Sequence, residues 1–371
     1  MEAKETRKTI KQNLVRNNKT MYHTVVKKLL ETKPDMDVIR QAGQILQTGG
    51  LIAFPTETVY GLGANALMAE ASRKIYAAKG RPSDNPLIVH VCKFDDLKNI
   101  VLDIPQQARL LADAFWPGPL TMIFRKNDRV PLETTGGMDT VAVRMPDSQI
   151  ALALIQEGGG YIAAPSANLS GRPSPTLAEH VYEDMNGKIP LIIDGGAVGI
   201  GIESTIIDLT ESTPVVLRPG YITLEMLAGV IGEVSMDPGI VSEDSRVRPK
   251  APGMKYRHYA PKAEMILVEG PQEKVIAQIN YLTKEKLKSG KKVGIIGTEE
   301  TAERYEHGFV ISIGERQEEE MIAHNLYRIL RELDESGVDI IYSESFSTLR
   351  MGEAIMNRML KAAGHQVIMA E

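Results

Sequence analysis

"LIAFPTETVYGLGAN", residues 51–65, contains the clearest early strand of the chain and the segment that follows it. A short apolar run that ends at a proline, as "LIAFP" does, is typical of a buried strand. Residues 56–65 are predicted as a glycine-containing loop with three hydroxyl donors. These donors are Thr56, Thr58 and Tyr60. A helical period precedes the strand, from Asp35 to Gly49-Gly50, so helix and strand alternate from the start of this region.

Strands and helices continue, less regularly, to about residue 235. Several predicted strands follow one another with no helix between them, which requires antiparallel or mixed pairing. We therefore expect a mixed α/β sheet over residues 34–235. The further helices are predicted near 69–79, 105–115 and 177–186, and the strands at 86–91, 120–124, 140–145, 161–165, 190–194, 204–209 and 215–220.

A second unit is expected after a break in this pattern. Residues 236–262 contain four prolines and few aliphatic side chains, which indicates a linker. From residue 263 to 371, strand-like and helix-like segments alternate cleanly. This alternation predicts a small, mainly parallel, three-layer α/β domain. Its helices are expected near 271–288, 317–335 and 353–363.

Bulk composition places the chain among globular proteins. Its 371 residues exceed the size of a typical single core, and its 43% apolar and 25% charged residues are ordinary for a folded domain. We expect no membrane span and no secretion signal, since neither an apolar run of about 18 residues nor a basic–apolar leader occurs. Cys92 is the single cysteine, so an internal disulfide and a multi-cysteine zinc site are excluded. A cytoplasmic location is the simplest interpretation.

The net charge of −5 is unevenly distributed. Residues 1–33 carry nine Lys/Arg and three Glu, and the rest of the chain sums to −11. Such a balance does not suggest a protein that binds polyanions over its whole surface. We predict that residues 1–33 form a solvated or frayed basic extension. Contact with RNA, an organelle-targeting role and a second start at Met21 remain open alternatives.

The common nucleotide and hydrolase motifs do not occur. The chain lacks GxxxxGK[ST], GxGxxG, HExxH and GxSxG, so a nucleotide would have to be bound by another route. "KGRPSDNPL" (79–87) is one candidate, because Lys79 offers a point charge and Arg81 a forked donor for phosphate. A solvated helix end followed by a turn explains an isolated KxR equally well.

Other polar segments add candidate ligand contacts. "APSANLSGRPSPT" (164–176) is a long, hydroxyl-rich loop with the donors Ser166, Asn168, Ser170 and Ser174. Arg144 ends an apolar strand, and an arginine in such surroundings usually has an anionic partner, for which an amino-acid carboxylate would be suitable. Turn chemistry is an equal explanation for Glu203, Ser204 and Arg218, and a core position is the ordinary explanation for His90.

Seven segments taken together resemble one family. "PTETVYGLG", "KGRPSDNPL", "WPGPLT", "VAVRMP", "PSANLSG", "ESTIID" and "LRPG" match, in order, the motifs of YrdC-type threonylcarbamoyl-adenylate synthases. "APGMKYRHYAP" (251–261) is similar to the linker of the long, two-domain form. The resemblance implies a YrdC-like twisted mixed sheet with helices, followed by a small Rossmann-like parallel domain. It is dense over residues 35–261, while 262–371 agree only in size and pattern.

The resemblance also implies an activity and a site. Members make threonylcarbamoyl-AMP from L-threonine, bicarbonate or CO2, and ATP with Mg²⁺, and release pyrophosphate. A partner transferase complex then modifies tRNA beside the anticodon. The implied ATP contacts are Lys79, Arg81, Asn85, Thr140, Ser166, Asn168, Ser174, Arg218 and Tyr256, with Lys79 and Arg81 as the catalytic cations. The implied L-threonine contacts are Thr58, His90, Arg144, the Ala164 backbone and Ser204.

A lid and two competing functions complete the expectations. The linker 236–262 is predicted to cover the site, with Tyr256 as its contact, because a carbamate intermediate is unstable in water. One alternative is another carbamoyl-adenylate transferase, as in hydrogenase maturation, although the single cysteine argues against the zinc-finger segments of those proteins. The other is a non-catalytic RNA-binding module, which the low aromatic content of 5% disfavours.

Overall fold

The protein is represented by a computed structural model that describes residues 22–240 and 258–371. These residues form one large mixed sheet and one smaller parallel sheet, both with helices. The predicted fold class, a mixed α/β sheet followed by a small parallel α/β unit, is therefore confirmed.

Eleven strands build the large sheet in the order β1-β8-β2-β3-β7-β4-β6-β5-β9-β10-β11. The sheet contains both parallel and antiparallel pairs, since β4 runs parallel to β6 while β5 runs antiparallel to β6. The strands are β1 (Val25–Lys28), β2 (Ile52–Phe54), β3 (Gly61–Asn65), β4 (Ile88–His90), β5 (Leu120–Arg125), β6 (Thr140–Arg144), β7 (Ile162–Ala163), β8 (Leu191–Asp194), β9 (Thr205–Asp208), β10 (Val215–Arg218) and β11 (Ser235–Met236).

Helices cover both faces of this sheet. The first helix begins where predicted, because the Asp35 carboxylate caps it by accepting from the amides of Asp37 and Val38. Its apolar face buries Ile39 and Leu46. The helices are α1 (Met36–Gln47), α2 (Ala69–Lys79), α3 (Gln106–Phe115), α4 (Gln149–Glu157), α5 (Ala178–Met185) and α6 (Leu224–Ile231), with 3₁₀ turns at Phe94–Asn99 and Pro238–Ile240.

The second sheet is parallel throughout, in the order β14-β13-β15-β12-β16. One face packs in a core with α7 and the other in a core with α8 and α9, which gives the predicted three layers. The strands are β12 (Glu264–Glu269), β13 (Val293–Gly297), β14 (Phe309–Ser312), β15 (Ile340–Glu344) and β16 (Val367–Met369). The helices are α7 (Gln272–Lys288), α8 (Glu319–Ser336) and α9 (Met351–Ala362), with a 3₁₀ turn at Ala302–Arg304.

Two sequence-based expectations require correction. The predicted loop 56–65 ends in a strand, because residues 61–63 pair antiparallel with β2, with Gly63 opposite Ile52, and residues 64–65 pair antiparallel with β7. A side chain at Gly63 would meet the Phe54 ring at 2.9 Å, so the small residue that suggested a loop is required by packing. Residues 25–28 of the expected basic extension instead pair with β8 at the sheet edge.

The two sheets share buried surface. Val59 and Ile202 of the first unit lie in one apolar cluster with Leu326 and Ile355 from α8 and α9. The domain boundaries at 33, 235 and 262 stay predictions, and residues 241–257 of the expected linker lie outside the described residues. Within the described part of the chain, no helix is both long and apolar enough to cross a membrane.

Candidate functional site

An open cavity lies on the large sheet beside the second unit. Its walls come from the ends of neighbouring central strands and from the loops that leave them. This is why residues far apart in sequence meet there. The lining consists of Thr56, Thr58, Val59, Gly61, Arg81, Ile88, His90, Arg144, Ala164, Pro165, Ser166, Glu203, Ser204, Arg218, His258 and Tyr259.

Arg81 reaches the cavity through the turn that ends α2. Gly80 adopts a left-handed conformation with φ of 63°, and the Arg81 amide then donates to the Tyr76 carbonyl at 3.0 Å. Its guanidinium donates to the Asn85 amide oxygen at 2.5 Å and to the Pro86 carbonyl at 3.0 Å. Burial lowers the pKa of Arg81 to about 10, so the group is still a cation at neutral pH. The stiff loop therefore presents a preorganised positive charge.

Lys79 lies behind this wall and is only 2% exposed. Its ammonium donates to the backbone carbonyls of Ser166 and Asn168 and, at 3.2 Å, to the Asn168 side-chain oxygen. Burial lowers the pKa of Lys79 well below its ordinary value, and the nearby charge of Arg81 adds to this effect. Lys79 therefore connects the polar segment 79–87 to the hydroxyl-rich loop 164–176.

Arg144 has the anionic partner that its apolar surroundings require. Its Nη2 lies 2.6 Å from a carboxylate oxygen of Glu57, and both side chains are largely buried. Its Nη1 donates to the Thr58 hydroxyl at 2.9 Å and its Nε to the Gly118 carbonyl at 3.2 Å. The guanidinium is thereby held in one orientation at the cavity wall.

His90 is a neutral imidazole at physiological pH. Burial, with the Arg144 charge as the next cause, lowers the pKa of His90 to about 3. Its Nδ1 lies 3.2 Å from the Ile88 carbonyl, which suits a proton on that nitrogen. The other ring nitrogen is then a hydrogen-bond acceptor.

Arg218 and Ser204 also line the cavity and contact each other. Arg218 donates from Nε to the Ser204 carbonyl at 3.0 Å and from Nη2 to the Ser204 hydroxyl at 3.2 Å. The Ser204 hydroxyl also lies 2.8 Å from that of Thr121 on β5. The parallel pairing of β5 with β9 brings these two hydroxyls together.

Glu203 is a buried carboxylate in the same wall. Burial alone would raise the pKa of Glu203, but the charges of Arg358 and Arg218 and hydrogen bonds from Ser174 and Tyr327 lower it below its ordinary value. The Ser174 hydroxyl donates to it at 2.5 Å. An ionised carboxylate therefore lies within the electrostatic influence of Arg218 and Arg358.

Comparison with known proteins identifies the family of the chain. Residues 44–220 match the Sua5/YciO/YrdC family, described as Telomere recombination, and residues 222–364 match the family described as Threonylcarbamoyl-AMP synthase, C-terminal domain. A Threonylcarbamoyl-AMP synthase of Pyrococcus abyssi is 52% identical over 330 residues, which are 89% of this chain and 95% of the relative. One of Bacillus subtilis is 50% identical over 331 residues, 89% and 94% of the two chains.

A solved structure extends the comparison to three dimensions. The crystal structure of P. abyssi Sua5 complexed with L-threonine has a TM-score of 0.88 and 48% sequence identity. The match covers 94% of this chain and 100% of that chain. The chain belongs to the threonylcarbamoyl-AMP synthase family. The resemblance carried by the seven motifs is confirmed, and the family places the chain among nucleotidyl-transferring enzymes.

The structure brings together most of the residues that the motifs indicated for this family member. Those at the cavity wall are Thr58, Arg81, His90, Arg144, Ala164, Ser166, Ser204 and Arg218. Lys79, Asn85, Asn168 and Ser174 contact wall residues or their backbone. Thr140 is half-buried on β6 and, by strand alternation, shares the face of Arg144. Tyr256 lies outside the described residues.

Four wall or near-wall residues were not assigned to the site from the motifs. His258 and Tyr259 line the cavity from the end of the linker, where the Tyr259 ring stacks on Tyr327 at 5.3 Å. The signal that could have found them is the pair of aromatic rings two and three residues after Tyr256 in a proline-rich segment. Glu57 and Glu203 belong to quoted motifs, but nothing in the sequence indicated that their carboxylates would be buried against arginines.

Proposed function

We propose that this chain synthesises L-threonylcarbamoyl-AMP from L-threonine, bicarbonate or CO2, and ATP, with release of pyrophosphate. The observation that carries the proposal is the polarity of the cavity. Three arginines, Arg81, Arg144 and Arg218, line it together with the neutral polar side chains of Thr58, His90 and Ser204. Such a cavity suits one polyanion and one amino acid held side by side.

The amino-acid end is proposed to bind L-threonine. Arg144 would pair with the substrate carboxylate, and neutral His90 and the Thr58 hydroxyl supply acceptors and donors for its amine and hydroxyl. The Ala164 backbone and Ser204 complete this end. The P. abyssi relative is described as complexed with L-threonine, which supports this assignment.

The nucleotide end is proposed to bind ATP. Arg81 and Arg218 would contact the phosphates, with Ser166 beside them, while Lys79, Asn85, Asn168 and Ser174 hold these groups in place and Thr140 and Tyr256 complete the contacts. Within 22–240 and 258–371, no cluster of three or more His, Cys, Asp or Glu side chains is arranged to hold a metal. Mg²⁺ would therefore arrive on the triphosphate, whose oxygens are the ligands it prefers.

The proposed chemistry needs charge stabilisation rather than a protein nucleophile. The threonine amine and CO2 form a carbamate, a carbamate oxygen attacks the α-phosphorus, and pyrophosphate leaves. Arg81 and Arg218 would stabilise the negative charge that develops along this path, and Lys79 would support the wall behind them through the Ser166 and Asn168 carbonyls. Closure by the linker, with His258 and Tyr259 at the wall, would keep water from the carbamate. The product would supply a tRNA-modifying transferase complex. We place the chain itself in the cytoplasm.

Pyrophosphate release tests the proposal directly. We expect release that requires L-threonine and bicarbonate together, with threonylcarbamoyl-AMP identified by mass spectrometry. Arg81→Ala is expected to lower the rate at least about 100-fold, since it removes a preorganised cation from the transition state. Arg73→Ala is the matched control, because Arg73 lies on α2 with a half-exposed side chain and should keep wild-type activity.

Each other outcome points to a named alternative. Pyrophosphate release that does not depend on L-threonine would support the ATP site but refute L-threonine as the second substrate. It would favour another carbamoyl-adenylate transferase. No release, combined with salt-sensitive RNA binding, would favour the non-catalytic RNA-binding module.

A further inference from the structure

Two side chains of the second unit reach the wall of the cavity. We propose that Tyr327 of α8 and Arg358 of α9 are positioning residues for the nucleotide end and act through Glu203. The inference rests on the proposed function and deepens it, because it assigns the second unit a part in binding ATP. Neither residue lines the cavity itself.

Glu203 is held from the second unit. It is 7% exposed, and its carboxylate accepts from the Tyr327 hydroxyl at 2.8 Å and from the Arg358 Nε at 3.2 Å. Tyr327 and Arg358 are themselves fully buried. A buried carboxylate keeps its charge and orientation only with such partners, so removing one of them frees Glu203 to move or to change its protonation.

The same contacts continue to residues at the nucleotide end. The other Glu203 oxygen accepts from the Ser174 hydroxyl at 2.5 Å. Arg358 also donates to the Pro219 carbonyl, next to Arg218, and to the Glu203 carbonyl at 3.3 Å. Two segments that carry proposed ATP contacts are therefore fixed by one network from the second unit.

Arg144, at the amino-acid end, is fixed differently. Its guanidinium is held by Gly118, Thr58 and Glu57, all of which belong to the first unit. Of the proposed L-threonine contacts only Ser204 adjoins Glu203, and the Ser204 hydroxyl also lies 2.8 Å from that of Thr121 in the first unit. Loss of the Glu203 network should therefore affect ATP more than L-threonine. This asymmetry distinguishes a positioning role from a general structural one, which would change both substrates alike.

Conservative variants test this asymmetry. Tyr327→Phe removes one hydroxyl and retains a ring that can stack on Tyr259, and Arg358→Lys keeps the charge but loses the fork. In pyrophosphate-release assays, we expect the KM for ATP to rise about tenfold in each variant, as for the loss of one hydrogen bond to a charged group, and the KM for L-threonine to change less than about twofold. Tyr281→Phe and Arg328→Lys, at exposed positions on α7 and α8, are the matched controls.

A double-mutant cycle checks the route through Glu203. Tyr327→Phe and Ser174→Ala act on the same carboxylate, so their effects on the KM for ATP should be non-additive. Additive effects would contradict the route, and equal changes in both KM values, or none, would overturn the proposal. Inactive wild-type protein would instead refute the proposed function, so the two failures are distinguishable. A thermal melt of each variant confirms that it is folded.

Discussion

At the scale of the residue, burial determines which groups around the cavity are charged. Arg81 stays a cation although burial lowers its pKa to about 10, whereas His90 is neutral because burial and the Arg144 charge lower its pKa to about 3. His180, near the second unit, has its pKa lowered to about 3 by burial and by Arg331. Its Nδ1 accepts from the Thr176 amide, which requires an unprotonated nitrogen.

These histidines predict a pH-dependent stability. Below pH 6.5 the unfolded chain binds a proton at His90 that the folded chain does not bind, so stability falls as the pH falls from about 6.5 towards 3. Between pH 7 and pH 5 this costs about 2 kcal/mol for each such histidine. We measure the free energy of unfolding in urea at pH 7 and at pH 5. Its decrease between these two values should be about 2 kcal/mol smaller for His90→Gln than for wild type.

The control for that measurement is His307→Gln, which removes an imidazole from an exposed position. Parallel pH profiles for wild type and His90→Gln would contradict the neutral, buried assignment of His90.

At the scale of the element, one loop connects the two units to the cavity. The loop between β8 and β9 accepts no side chain at Gly201, where φ is +89° and an added Cβ would lie 2.5 Å from the His324 Cα of α8. The Gly201 amide donates to the Thr58 carbonyl at 3.1 Å, and the loop continues into Glu203 and Ser204. Close approach of α8 therefore depends on a glycine that the sequence shows only as part of a turn.

Two substitutions in this loop should differ sharply. Gly201→Ala is expected to destabilise the protein by about 2–4 kcal/mol, from backbone strain and the clash with α8. Gly199→Ala is the matched control, since an added Cβ there would come no nearer than 3.9 Å to the Glu57 carbonyl, and it should change stability by less than about 0.5 kcal/mol. Chemical unfolding of both variants measures the difference. If both variants were destabilised equally, α8 would be able to move away from residue 201 without a loss of stability.

At the scale of the whole molecule, the second unit is joined to the first by buried ion pairs. Arg331 of α8 is 1% exposed and lies 2.8 Å from the Asp184 carboxylate of α5. It also donates to the Pro173 carbonyl, within the hydroxyl-rich loop, at 2.7 Å. Together with the Arg358–Glu203 pair, this contact ties two site segments to the second unit.

A truncation tests the dependence on the second unit and the linker. A chain that ends after residue 235 is expected to fold, because the large sheet is complete apart from part of the two-residue edge strand β11. Threonine-dependent pyrophosphate release should fall at least about 100-fold, since the cavity loses the wall formed by His258 and Tyr259. Near-ultraviolet circular dichroism reports folding beside the activity assay. Full activity of a folded fragment would refute the lid prediction. The control is an uncut full-length chain that carries a protease site after residue 235.

The order of motifs and the local periodicity were sufficient for most of the fold and for the family. The apolar period of α1 and its Asp35 cap predicted that helix closely, and adjacent strands without helices predicted the mixed sheet. Most of the residues that the motifs indicated lie at or next to the cavity, because the motifs lie at the ends of neighbouring strands or, like residues 79–87, in the loop that leads into one.

Only the tertiary structure decided which charges are buried and what holds them. The strand at 61–65 was predicted as a loop, because glycines that fit against Phe54 look locally like turn residues. Glu57 and Glu203 were not recognised as partners of Arg144 and Arg358, because residues 87 and 155 positions apart have no local signal that joins them. The sequence by itself determined the family and the residue types of the site. Tertiary packing determined their ionisation and the link to the second unit, since both depend on burial and long-range contacts.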